Sequence, residues 1–193
     1  FLVHASIYDA FVDTLSERVA KMQAGSGFDD GVNIGPLINQ AAIDKVDAQV
    51  TDATAKGAKL VTGGAQLTAA NLANGHFYAP TVLGDVTPDM LIYREETFGP
   101  VAPIIKYHDD DDVLAMANDT NYGLAAYVYT QNLSRAMHML EGLRFGIIGI
   151  NDINPTSAAA PFGGMNESGL GREGAREGLQ EYLETKLGGF SIA

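Results

Sequence analysis

The 193-residue chain contains no cysteine. That absence excludes disulfides, thiolate metal sites and a cysteine nucleophile from anything these residues do alone. A reducing, cytoplasmic setting is compatible with it. Basic residues are scarce too: 12 Lys and Arg stand against 24 Asp and Glu, for a formal charge of −12. Such a total repels a phosphate backbone and the few cations do not cluster, so nucleic acid is not expected as a partner. Long apolar runs are missing. Leu124 to Val128 and Gly146 to Ile150 are strand-sized, far short of the roughly 20 residues a bilayer-spanning helix needs, so no membrane partner is expected. These residues show no initiator Met, basic n-region or apolar h-region, so no signal peptide is expected within them. Phe1-Leu2-Val3-His4 reads instead as the end of a strand, from which residues missing upstream are expected.

What remains is an ordinary globular composition, 46% hydrophobic, sufficient for a sizeable core. Ser6 is placed to cap a first helix with apolar Ile7, Phe11, Leu15, Val19 and Met22. A second helix is expected from about Gln40 to Lys56, with Gly57 at its C-terminal end. Lys59 to Thr62, Val101 to Tyr107, Leu124 to Tyr129 and Phe145 to Ile150 read as strands, with helices at Val113 to Ala117 and Ser134 to Leu140. Phe77 to Leu83 is extended around Pro80, which points to an edge or irregular strand. Asn151 to Gly174 forms a long loop of the kind that is usually functional. The alternation predicts an α/β fold with a largely parallel twisted sheet flanked by helices. A main domain over 1–174 is expected, followed by a C-terminal helix and a last strand from Thr185 onward within 175–193.

Several constellations invite chemistry and decline it. His108 followed by Asp109 to Asp112 lacks the alternating ligands, Gly and bidentate Glu of a calcium loop, and reads as carboxylates at a helix start. His4, His76, His108 and His138 are dispersed, so no metal site is expected. Gly169-Leu170-Gly171-Arg172-Glu173-Gly174 matches a dinucleotide fingerprint in letters, but no core strand precedes it and the chain ends about 20 residues on. Its glycines suit sharp turns and close backbone approach. No complete catalytic set is visible, and no catalytic residue is assigned.

Glu95-Glu96-Thr97-Phe98-Gly99-Pro100 is different. It is either a salt-bridged turn over a core Phe, or a rigid turn projecting a carboxylate and a ring. A carboxylate accepts hydrogen bonds from the vicinal hydroxyls of a ribose, and a phenyl face walls off a flat heteroaromatic ring.

That hexapeptide is followed by Asn121-Tyr122-Gly123-Leu124, by Pro161-Phe162-Gly163-Gly164, and by Ser168-Gly169-Leu170-Gly171-Arg172-Glu173. With Phe77-Tyr78-Ala79-Pro80-Thr81-Val82 and the tail Tyr182-Leu183-Glu184-Thr185-Lys186, the series resembles the C-terminal portion of aldehyde dehydrogenases. The long loop leans toward the succinate-semialdehyde branch. The resemblance implies a partial catalytic domain plus a C-terminal oligomerisation strand, with NAD or NADP as cofactor in the intact parent and a homo-oligomer as the assembly. It implies that Glu96 binds the nicotinamide ribose and that Phe98 lies beside the nicotinamide. It places Phe162 near the substrate tunnel and Thr156 and Ser157 in the substrate-contacting loop, where one hydroxyl holds the distal carboxylate of a semialdehyde. Ordinary loop capping is the other reading of Thr156 and Ser157. The family's chemistry runs through a cysteine thiolate, a thioester and hydride transfer. The resemblance puts that cysteine just before the position of Phe1, so the chain alone is expected to be inactive and to bind cofactor weakly. A non-enzymatic assembly module working through its last strand is the alternative.

Overall fold

The computed structural model describes residues 1–69, 72–109 and 111–192 as a mixture of helices and strands; Asp110 of the acidic run and the terminal Ala193 lie outside them. Two compact units divide the chain, Phe1–Asp111 and Asp112–Ala193.

The first unit holds β1 (Leu2–His4), α1 (Tyr8–Val19), α2 (Gln40–Ala55), β2 (Lys59–Thr62), β3 (Thr81–Gly84), α3 (Leu91–Arg94), β4 (Val101–Pro103) and β5 (Ile105–Tyr107). β1 pairs in parallel with β5, and β3 lies between antiparallel β2 and parallel β4. Two expectations change here. Ser6 is not the first cap: His4 Nδ1 accepts the Ser6 N–H at 3.3 Å and caps a single 3₁₀ turn, Ala5–Ile7, ahead of α1. Pro80 does not mark an edge either, because it sits one residue ahead of Thr81 and so removes no donor from the central strand's ladder.

α2 begins where Asn39 Oδ1 accepts the Ala42 N–H at 2.9 Å. Ile43, Val46, Val50 and Ala53 recur at helical spacing, and all are buried with Tyr78, Leu83, Met90 and Ile92. Burial drives the Tyr78 hydroxyl's pKa well above its usual value, and the Asp47 carboxylate that it donates to at 3.2 Å adds to the effect. Val3, Tyr8, Val12, Val19, Val82 and Ile104 form the second core of this unit, beneath α1.

The second unit holds α4 (Val113–Asn118), β6 (Ala125–Val128), α5 (Leu133–Gly142), β7 (Ile147–Ile150) and α6 (Ala175–Gln180). Asp112 Oδ1 caps α4 by accepting the Ala115 N–H at 2.9 Å, so the acidic run does start a helix. β6 and β7 are parallel, which makes three of the four described strand pairings parallel. The strand expected from Thr185 is not formed. Residues 183–192 are neither helix nor strand, and Leu187, Phe190 and Ile192 are 96–97% exposed. A strand exists through a neighbour's backbone groups, and this segment pairs with none among the described residues.

Candidate functional site

One face of α2 grips the chain segment that carries Glu96. Lys56 Nζ donates to the Asp89 carbonyl at 2.6 Å, and Asp52 Oδ2 accepts the Leu91 N–H at 2.8 Å. Gln49 Nε2 donates to the Glu95 carbonyl at 3.5 Å. Val46 packs beneath Gly99, where a Cβ would lie 2.6 Å from Val46 Cγ2. Residues three or four apart share a helix face, so 46, 49, 52 and 56 form one stripe, along which 99, 95, 91 and 89 run in the opposite direction. The Asp52 carboxyl is held below its usual pKa, first by the Leu91 N–H and then by Lys56, whose Nζ is 2.8 Å from Oδ1.

Held this way, the hexapeptide turns outward. α3 ends as Glu95 becomes extended, at φ −104° and ψ 139°. The strand that follows is pinned by Thr81 N–H to the Pro100 carbonyl, 2.8 Å. Glu96 is exposed. Phe98 adopts φ +49° and is 84% exposed, which overturns the reading of a core Phe. A non-glycine residue in the left-handed region costs on the order of 1–3 kcal/mol, and an exposed phenyl forgoes about 1.5–3 kcal/mol of burial. Neither term serves the fold. A free ring face beside a free carboxylate fits the nicotinamide–ribose half of a dinucleotide, one packing on a flat heterocycle and the other accepting from vicinal hydroxyls.

In the second unit the candidate residues follow β7. Asn151, at φ +53°, ties the ends of β6 and β7 together: its Nδ2 donates to the Thr130 carbonyl at 2.8 Å, and its Oδ1 accepts the Thr130 N–H at 2.9 Å. Thr156 and Ser157 are both exposed in the loop beyond. Thr156 Oγ1 donates to Asn154 Oδ1 at 2.8 Å, a bond between two side chains. Phe162 pairs with Glu173 through two backbone hydrogen bonds, 2.7 and 2.8 Å, and lines a cavity of about 780 Å³ with Leu124, Arg172 and Tyr182. The glycine run 169–174 does what turns and close approach require. Gly169, Gly171 and Gly174 have positive φ, and the Gly171 carbonyl passes 2.6 Å from where a Gly163 Cβ would be. Arg172 Nη1 stitches that contact, donating to the Gly164 and Gly171 carbonyls at 2.9 and 2.7 Å. Ser168 Oγ accepts the Gly123 N–H at 3.0 Å, joining two of the quoted motifs.

Glu96 and Phe98 thus share one turn, and Thr156, Ser157 and Phe162 share one loop. The α2 stripe was not anticipated. Its signal is Gln49, a polar residue among the apolar-spaced Ile43, Val46, Val50 and Ala53.

The sequence profile of the aldehyde dehydrogenase family matches residues 1–187. The chain is similar to a non-phosphorylating aspartate-semialdehyde dehydrogenase of Halomonas elongata, 48% identical over 96% of this chain and 37% of that protein. It is similar to an NADP(+) succinate-semialdehyde dehydrogenase of Escherichia coli, 46% identical over 95% of this chain and 37% of the relative. The crystal structure of succinate-semialdehyde dehydrogenase from Burkholderia pseudomallei superposes with a TM-score of 0.88 at 44% identity, over 94% of this chain and 37% of that one. The chain therefore spans little more than a third of the length of each.

Proposed function

The chain belongs to the aldehyde dehydrogenase family, and from that premise we propose that it forms the nicotinamide side and part of the substrate side of an NAD- or NADP-dependent enzyme oxidising a short semialdehyde, succinate semialdehyde in particular. The turn of Glu96 and Phe98 carries this reading: a phenylalanine at φ +49° that is 84% exposed, beside an exposed glutamate. The bound dinucleotide supplies the hydride acceptor. Glu96 accepts hydrogen bonds from the ribose hydroxyls, and Phe98 backs the nicotinamide, so that one face is presented. Phe162 contributes apolar wall to the aldehyde passage. Because Thr156 already donates its proton to Asn154, Ser157 is the hydroxyl we assign to the distal carboxylate. The relatives named for aspartate and succinate semialdehydes support an acidic short-chain aldehyde.

The exposed tail, with Leu187, Phe190 and Ile192, supports assembly into a homo-oligomer through residues 185–192. It also keeps the non-enzymatic assembly module as the second reading.

In the whole enzyme carrying this chain, Glu96→Ala and Phe98→Gly are each expected to raise the KM for NAD(P)+ about tenfold, the loss of one charge-assisted hydrogen bond or one ring contact. Phe98→Gly also relieves the left-handed backbone, so its thermal midpoint is expected not to fall. An unchanged KM in both variants would remove the cofactor role from this turn.

A further inference from the structure

Gln49 is 1% exposed, among the most buried side chains in the first unit. Its Nε2 reaches the Glu95 carbonyl at 3.5 Å, while its Oε1 has no partner among the described residues. A core amide satisfied on one side only, by a long bond, is a poor way to hold a core together: an apolar side chain of similar size leaves no polar atom stranded. Packing therefore does not explain why a glutamine stands between Val46 and Val50, both buried. Its neighbours on the same stripe do. Lys56, Asp52 and Val46 hold the segment at Asp89, Leu91 and Gly99. Gln49 supplies the side-chain hydrogen bond to the stretch between Leu91 and Gly99, which contains Glu96 and Phe98. Glu95 is also where α3 ends and the backbone turns extended, so its carbonyl direction sets where the next side chain starts.

We propose that Gln49 is a positioning residue for the cofactor-binding turn, its buried amide fixing the Glu95 peptide so that Glu96 is presented at a defined height above α2. It touches no ligand itself. The inference rests on the cofactor reading of Glu96 and deepens it: the affinity for the nicotinamide half is set partly by a side chain inside the core.

The test uses the whole enzyme carrying this chain and two variants, Gln49→Met, which keeps the volume and removes the donor, and Gln49→Asn, which keeps the amide and withdraws it from Glu95. Three quantities are read: the KM for NAD(P)+ against kcat, the thermal midpoint, and amide hydrogen exchange by peptide. Both variants are expected to raise the KM for NAD(P)+ about three- to tenfold, with kcat and thermal midpoint nearly unchanged. Faster exchange is expected at residues 96–99 and not in the body of α2. Unchanged exchange there in both variants overturns the proposal. So does exchange raised throughout α2 and β3 with a lowered midpoint, which would make Gln49 a core residue and nothing more. Glu96→Ala runs in parallel to keep the two ideas apart. If it leaves the cofactor KM unchanged, the cofactor reading of the turn fails, while local exchange at 96–99 in the Gln49 variants still decides whether Gln49 holds that turn.

Discussion

Val46 lies so close beneath Gly99 that a Cβ on the glycine would stand 2.6 Å from Val46 Cγ2. Val46 is fully buried, so the methyl of Gly99→Ala cannot be admitted unless the core packing around Val46 shifts. Overpacking of this kind costs about 1–3 kcal/mol. The turn is expected to lift from α2, lowering both the thermal midpoint and the affinity for NAD(P)+ in the whole enzyme. Gly27→Ala is the control, since a Cβ there meets nothing within 4 Å. Equal midpoints for the two variants would show that the turn does not depend on this contact.

The grip of α2 on α3 should weaken in acid. The Asp52 carboxyl is held below its ordinary pKa by the Leu91 N–H first and Lys56 second. A depressed folded-state pKa contributes stability above the ordinary carboxylate range, and that contribution is lost as the pH falls through the lowered value. Asp52→Asn keeps an acceptor for Leu91 but does not titrate. The stability difference between wild type and Asp52→Asn is therefore expected to be largest near neutrality and to shrink as the pH falls below about 4. Urea midpoints measured across a pH series check this. A difference constant over the whole range would mean the Asp52 charge does not couple α2 to α3.

The α2 helix and β2 strand are legible in the sequence because their signals are local. Asn39 and Gly57 bracket one, and a short β-rich run closed by Gly63 and Gly64 defines the other. Even local signals mislead, since Ser6 is the better cap candidate by residue type, yet the side-chain cap is His4, on the 3₁₀ turn ahead of α1. Contacts between distant segments are not legible in this way. Asp52 to Leu91 and Gln49 to Glu95 span 39 and 46 residues, and no periodicity in one segment says which carbonyl of another it will meet. The same holds for Phe98. Its residue type and its Gly-Pro neighbours fit a buried ring or a displayed one, and the contacts that decide between them, Glu95 to Gln49 and Gly99 to Val46, come from a distant helix. Residues 185–192 show the reverse case: they resemble a closing strand of the family, but a strand needs a second edge.

By itself the 193-residue chain is expected to form no NADH or NADPH from succinate semialdehyde. The chemistry proposed for the whole enzyme needs a thiolate, and these residues contain no cysteine. One serine does touch a histidine: Ser6 Oγ lies 2.8 Å from His4 Nδ1, with Asp109 Oδ1 3.0 Å from Nε2. That trio resembles an activated hydroxyl, but Nδ1 also accepts the Ser6 N–H as a helix cap, so its lone pair is engaged. An activated serine would in any case favour hydrolysis of esters over hydride transfer to a dinucleotide. Glu96 and Phe98 in turn address only the nicotinamide half of a cofactor, which limits its residence on this chain. Appearance of reduced-nicotinamide absorbance with a preparation of confirmed intact mass, and no contaminating dehydrogenase, would sink this expectation. It would also require a nucleophile or a direct hydride route that the thiolate argument does not contain.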